Sequence, residues 1–351
     1  MNPSVKKVLG WSSIGFGTML ATRAALRWNR SIDLKGRTVV ITGGSRGLGL
    51  VLARELARED MRIAICARDE EELERARVHL SKSGVDVIAR VCDITDQDQI
   101  TSFMNGVLER FGSIDLLINN AGIIDVGPLA LMTQGDFERA LKTHFWGPFY
   151  AMQAVIPSMK ARGFGRIANI SSLGGRIAVP HLTPYCASKF ALAGLSEGLR
   201  AELLKDGIHV TTVLPGLMRT GSHVNARFKG QTRAEYALFS ISDSLPLFTT
   251  GAENAARTIV SAIRHGDAEV VVGLPAKMLV FLHGICPRAV SEFMGLLDRF
   301  LPGPGEAQTR SVPGRESVSW MSPSFLTALS DQASRRNNEI APYFLNGNGR
   351  S

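Results

Sequence analysis

The chain has 351 residues, of which 45% are hydrophobic and 21% charged. That composition excludes a chain dominated by disorder and supports a sizeable core, and the length allows one α/β domain of about 250 residues with extensions. The formal net charge of +8 is concentrated at the start: residues 1–37 hold seven Lys and Arg against Asp33 alone. A basic leading segment reads as a membrane-surface or targeting feature, and nucleic acid is not expected as a partner.

Taken in chain order, residues 1–35 form a basic and apolar extension. Its uncharged stretch, residues 8–22, is 15 residues long, short of the roughly 20 that a spanning helix needs. Two readings stay open, weak membrane association through residues 8–22 or a soluble arm packed on the core or a partner. From Arg37 onward, short apolar runs alternate with amphipathic stretches, the pattern of a parallel sheet with crossover helices. Strands are expected at 38–42, 62–66, 85–91, 116–119, 166–170, 209–214 and 269–272, and helices at 49–58, 70–81, 97–111, 149–162, 188–205 and 252–265. The fold class is therefore α/β, a Rossmann-type doubly wound parallel sheet of about seven strands in a single domain, residues 36–273.

Residues 274–301 form an apolar helical extension broken at Pro287, with burial as the plain reading and pocket cover, dimerisation or membrane contact as the others. Residues 302–351 are rich in Gly, Pro, Ser and Asn and read as a flexible polar tail that buries little, with the short run 325–334 as the part that could fold on a neighbour. The four cysteines (Cys66, Cys92, Cys186, Cys286) show no CxxC pair and no His at metal spacing. Buried free thiols and no metal site are expected.

Chemistry concentrates in a few motifs. Thr42-Gly43-Gly44-Ser45-Arg46-Gly47-Leu48-Gly49 follows the first strand and opens a helix. Its glycines let backbone approach a pyrophosphate, and the helix N-terminus offers free N–H groups to the anion. Further on stand Asn119-Asn120-Ala121-Gly122, Ser172, Tyr185-Cys186-Ala187-Ser188-Lys189, and Pro215-Gly216 with Thr220. In type, order and spacing these resemble the motifs of the short-chain dehydrogenase/reductase family, over about residues 36–272.

The resemblance implies a nicotinamide dinucleotide held by Gly43, Ser45, Arg46, Gly47, Leu48, Gly49, Asn119, Ala121, Gly122, Pro215, Gly216 and Thr220. Asp93 resembles the family's adenine contact; its other reading is a structural turn residue. After the second strand, Ala67 stands where an acid would favour NAD, and Arg68 follows it. Arg46 and Arg68 suit forked binding of a 2′-phosphate, so the expected cofactor is NADP(H).

The reaction centre is expected at Ser172, Tyr185 and Lys189. Tyr185 and Lys189 are four apart on a helix and share a face. An adjacent ammonium is expected to lower the phenol from its ordinary value near 10, so that Tyr185 exchanges a proton with the substrate oxygen. The resemblance also gives Lys189, with Tyr185, a role at the nicotinamide ribose. Ser172 would polarise the substrate carbonyl.

One position departs from the family: His144 stands where a catalytic Asn is usual. The Asn acts largely through its main-chain carbonyl, which any residue keeps. His144 is read either as joining a proton relay by titrating near neutrality or as a space-filling helix residue.

Residues 217–250 follow the sixth strand and carry Met218, Phe228, Tyr236, Leu238, Phe239, Leu245 and Phe248. Read as a lid over an apolar pocket, they suggest a lipophilic ketone, aldehyde or secondary alcohol. The leading reading is an NADP(H)-dependent oxidoreductase acting on a small-molecule carbonyl or alcohol. The alternative is a nucleotide-binding regulatory or scaffold protein with little turnover. The resemblance implies a homodimer or homotetramer through the helices at 149–162 and 188–205. The expected location is the cytoplasm, including the cytoplasmic face of a membrane.

Overall fold

A computed structural model describes residues 22, 24–305, 310–319, 322, 324 and 327–340. Of residues 8–22, read above as a membrane-associating stretch or a soluble arm, only Thr22 is among the described residues.

Seven parallel strands form the central sheet: β1 (Thr38–Thr42), β2 (Arg62–Ala67), β3 (Val87–Val91), β4 (Leu116–Asn119), β5 (Gly165–Ile170), β6 (Ile208–Pro215) and β7 (Glu269–Val272). Their order is β7-β6-β5-β4-β1-β2-β3, which is the Rossmann-type topology expected. β1, β4 and β5 are buried throughout, as strands covered on both faces must be.

Helices α1 (Gly47–Ala57), α2 (Glu70–Ser81), α3 (Gln97–Phe111), α4 (Gln134–Leu141), α5 (Gly147–Arg162), α6 (Thr183–Leu203), α7 (Thr232–Ser242) and α8 (Ala252–His265) follow in chain order. One face of the sheet packs on α1, α2 and α8 through Leu52, Leu56, Leu80 and Ile259; the other packs on α3, α5 and α6 through Phe103, Val107, Met152 and Met159. Asp69 and Asp96 accept N–H bonds at the starts of α2 and α3, which fixes where those helices begin.

The register aligns Thr42 with Asn119 and Asn119 with Asn169. The carboxyl ends of the central strands thus finish level, and the motif residues that follow them meet along one edge. This is where open α/β sheets bind ligands.

Three regions differ from the expectations. Helix α4 was not anticipated, although Thr133 and Asp136 form a reciprocal capping box at its start. The buried Asp136 carboxylate also receives Lys229 Nζ at 2.5 Å. Within residues 217–250, Phe228 and Tyr236 do not face a pocket; they build a small core with Val126 and Ala226. The 274–301 extension is a helix pair, α9 (Leu274–Ile285) and α10 (Pro287–Asp298), but it is not buried. Leu274, Met278, Phe281, Phe293 and Phe300 are exposed. Among the described residues no helix is long and apolar enough to cross a membrane. Cys66, Cys92 and Cys186 are buried free thiols, whereas Cys286 is exposed.

The tail is also more ordered than its composition suggested. Helix α11 (Ala328–Arg336) packs on the domain, and Ser330, Ser334, Asn337 and Glu339 are buried. Its short polar side chains satisfy themselves on backbone: Ser330 Oγ donates to the Asp243 carbonyl and Ser334 Oγ to the Gly221 carbonyl. Polar composition excludes a hydrophobic core, not a hydrogen-bonded one.

Candidate active site

The glycine loop and the Asn119–Gly122 turn are interlocked. Thr42 Oγ1 accepts from the N–H groups of Asn120 and Ala121, and Asn120 Nδ2 donates to the carbonyls of Thr42 and Gly43. Two glycines are obligatory here. Gly43 has φ +65°, and a Cβ on it would lie 2.7 Å from Ala121 Cα; a Cβ on Gly49 would lie 2.1 Å from the Gly43 carbonyl oxygen. Helix α1 begins without a side-chain cap, so its N-terminal N–H groups face the loop with the positive end of the helix dipole. A glycine cradle at an uncapped helix start fits the pyrophosphate of a dinucleotide.

Part of that cradle is engaged by the chain itself. The Gly47 N–H donates to the Asn337 carbonyl at 2.9 Å. Arg46 pairs with Glu72 at 2.7 Å and with Glu339 at 3.3 Å, and Ser45 Oγ donates to Glu72. Arg68 is exposed just beyond β2. Asp93 Oδ1 accepts from the Thr95 N–H and Oγ1 in a tight turn. Leu48 is buried at the start of α1. At the opposite wall, Gly216 N–H donates to the Val272 carbonyl after Pro215, and the buried Thr220 Oγ1 donates to Ser222.

The three expected catalytic residues converge. Ser172 follows β5 and accepts from the Gly174 N–H at 3.0 Å. Gly174 is part of this arrangement, because a Cβ there would come within 3.3 Å of the Tyr185 ring and 3.4 Å of Ser172 Oγ. Tyr185 stands in the first turn of α6, and Lys189 Nζ lies 5.6 Å from the centre of its ring. Lys189 is buried and donates to the Ile170 carbonyl at 2.7 Å.

The electrostatics differ from the expectation that the ammonium would lower the phenol. Burial pushes Tyr185 up to about 12, only partly offset by the neighbouring Ser172 hydroxyl, and burial pushes Lys189 down to about 7. Desolvation disfavours both charged forms. Tyr185 is therefore protonated at neutral pH.

His144 is corrected as a titrating relay member. It lies in a π-turn, Lys142–Trp146, closed by the Gly147 N–H donating to the Lys142 carbonyl five residues back. Its Nε2 accepts from the Ile123 N–H at 3.1 Å, which leaves the proton on Nδ1, 2.7 Å from Ser188 Oγ. Ser188 Oγ in turn donates to the Tyr185 carbonyl. Burial, with Lys189 nearby, holds the imidazole well below its ordinary range, so it stays neutral. Gly122 gives it room: a Cβ there would lie 3.1 Å from Nε2.

Beside Asn119, which the sequence singled out, stand Asn169, Ser196 and Thr212, which it did not. Asn119 Nδ2 donates to Asn169 Oδ1, Asn169 Nδ2 to Ser196 Oγ, and Thr212 Oγ1 also to Ser196, a buried chain beneath the site. Glu72, Asn225 and Glu339 were missed because their roles depend on contacts distant in sequence.

The comparisons agree with this geometry. The sequence profile of the short chain dehydrogenase family matches residues 37–229. A dehydrogenase/reductase SDR family protein 7-like from Anopheles gambiae is 36% identical over 245 residues, covering 68% of this chain and 75% of the relative. A short-chain dehydrogenase from Streptomyces avermitilis superimposes with TM-score 0.63 at 29% identity, covering 76% of this chain and 98% of its own. An actinorhodin polyketide ketoreductase solved with NADPH gives TM-score 0.61 at 29% identity, covering 68% and 96%. The chain belongs to the short-chain dehydrogenase/reductase family and is an oxidoreductase of that family.

Proposed function

We propose that this chain is an NADP(H)-dependent reductase of a lipophilic carbonyl, with Tyr185 as the proton donor and the reverse alcohol oxidation as its microscopic counterpart. The observation that carries the reading is the placement of Tyr185, which meets Ser172 around Gly174 and has the buried Lys189 Nζ 5.6 Å from the centre of its ring. A nicotinamide dinucleotide bound at the glycine loop would supply the hydride for reduction. Gly43, Gly47, Leu48 and Gly49 would hold its pyrophosphate, Lys189 and Tyr185 its nicotinamide ribose, and Arg46 and Arg68 a 2′-phosphate.

Ser172 and Tyr185 would both donate to the substrate oxygen and stabilise charge developing there. As that charge grows, Tyr185 transfers its proton to the oxygen, and the phenolate left behind is stabilised by Lys189 in its ammonium form. Burial strengthens that pairing in the transition state, where the charge exists, more than in the ground state. The His144 side chain fixes the backbone at Ile123 and, through Ser188, at Tyr185.

Support for NADP(H) comes from Arg46 in the glycine loop after β1, from Arg68 just beyond β2, and from the NADPH carried by the actinorhodin ketoreductase. Support for a lipophilic substrate comes from exposed Leu217, Leu238, Leu245 and Phe248 after β6. A homo-oligomer and a cytoplasmic setting complete the proposal. The test is turnover of aliphatic, aromatic and steroid-like ketones with NADPH by wild type and Tyr185→Phe; turnover that survives in the variant contradicts it.

A further inference from the structure

The last described residues form a connected set of bonds with the glycine loop. Helix α11 is anchored by Ser334 at Gly221, where a Cβ would lie 2.3 Å from Ser334 Cα, so the helix backbone rests directly on this glycine at φ +90°. The three residues that follow it each make side-chain or backbone bonds to parts of the expected dinucleotide site. Asn337 receives the Gly47 N–H on its carbonyl and donates from Nδ2 to the Thr220 carbonyl at 3.1 Å. Asn338, in the left-handed region at φ +59°, donates to the carbonyls of Ser45 and Glu72, both at 2.9 Å. That conformation is tolerated by Asn better than by most side chains.

Glu339 is buried, its carboxylate 3.3 Å from Arg46 and bonded by Asn225 Nδ2 at 2.6 Å. Gly47 leaves room for it, since a Cβ there would meet Glu339 Oε1 at 2.5 Å. Burial pushes this carboxyl up and Arg46 pulls it back. The segment therefore offers to the start of α1 what a dinucleotide would offer: an oxygen acceptor for a loop N–H, and an anion for the Arg46 guanidinium. One N–H and one side of one guanidinium cannot serve both in full.

We propose that residues 337–339 are an intramolecular occupant of the dinucleotide phosphate site, so that the seated C-terminal segment and a bound nicotinamide dinucleotide exclude one another. The inference rests on reading the glycine loop as a dinucleotide site. Binding then requires the segment to leave, and the apparent affinity is the intrinsic affinity multiplied by the fraction of molecules in which it is unseated. The C-terminal segment becomes a gate on cofactor loading, released by whatever competes for α11 or for Glu339.

The test uses the full chain as wild type, Asn338→Ala and Glu339→Lys; the lysine sets like charge against Arg46, and the milder variant guards against a folding defect. NADPH is titrated by fluorescence, and amide hydrogen exchange is followed over residues 328–340 with and without saturating NADPH. The expected result is a dissociation constant lowered about fivefold or more in both variants. In the wild type, NADPH should also raise exchange in that segment. NADPH binding with unchanged or weakened affinity in the variants, and the segment still protected, overturns this inference and leaves the oxidoreductase reading standing. Absence of dinucleotide binding in all three chains overturns both.

Discussion

Nδ1 of His144 lies 2.7 Å from Oγ of Ser188 while its Nε2 receives the Ile123 N–H, so both ring nitrogens are committed in the neutral form. The ring ties the Asn119–Gly122 turn to helix α6 and thereby helps to set Tyr185. His144→Ala should lower stability by about 1–3 kcal/mol, because it leaves the Ile123 N–H without its acceptor. It should introduce or remove no ionisation between pH 6 and 8 in kcat. Thermal unfolding together with the pH–rate profile checks both; loss of a kinetic pKa near 6.5 would contradict the neutral assignment.

Lys189 makes a signed prediction about stability. Its folded value of about 7 lies below the ordinary lysine value of 10.5, so between these limits the unfolded chain binds more protons than the folded one. Wild-type stability should therefore rise with pH, relative to Lys189→Met, from about pH 7 toward pH 10, by at most about 1.4 kcal/mol per unit. Urea unfolding of both chains at pH 7, 8.5 and 10 measures the difference. A constant difference would show that Lys189 is not desolvated.

The Lys229–Asp136 pair is buried on both sides. Burial alone would raise the Asp136 carboxyl, but hydrogen bonds from Lys229, Thr133 and Arg139 hold it well below the usual carboxylate range. Lys229→Met should cost about 3 kcal/mol at neutral pH, since it removes the countercharge from a buried carboxylate. Because Asp136 is depressed, its stabilisation is present above about pH 4 and is lost as pH falls below that. Chemical denaturation at pH 7 and pH 3 should show the penalty shrinking on acidification.

Gly49→Ala tests the cradle. The added Cβ would lie 2.1 Å from the Gly43 carbonyl and 2.5 Å from Asn120 Nδ2, so the loop must move. Dinucleotide affinity should fall by at least about tenfold, roughly 1.4 kcal/mol, with the far-ultraviolet spectrum preserved. Unaltered affinity would place the dinucleotide elsewhere.

The sheet was legible because its strands are short apolar runs bounded by turn residues, as at 116–119, where the expected and observed bounds coincide. Helices α2 and α3 were legible for a similar reason: Asp69 and Asp96 mark their starts, and apolar spacing marks their buried faces. The convergence of Ser172, Tyr185 and Lys189 was legible through motif spacing. Their protonation was not, because desolvation depends on what the whole fold packs around them. The binding of Glu339 at Arg46 had no local signal at all: the two residues are far apart in sequence, and an acid in a polar tail looks like any solvated charge. Within the tail only the run 325–334 carried a sign of folding, and the docking of residues 335–340 had none, since Ser and Asn dock by hydrogen bonds to backbone rather than by apolar periodicity.

The most direct test of the central claim is a paired measurement on wild type and Tyr185→Phe: fluorescence titration with NADPH and NADH, then ketone reduction followed by NADPH absorbance. Both proteins should bind NADPH in preference to NADH. Turnover should fall about a hundredfold to ten-thousandfold in the variant, because only the transferred proton is lost. Preference for NADH, or turnover undiminished in Tyr185→Phe, would contradict the central claim.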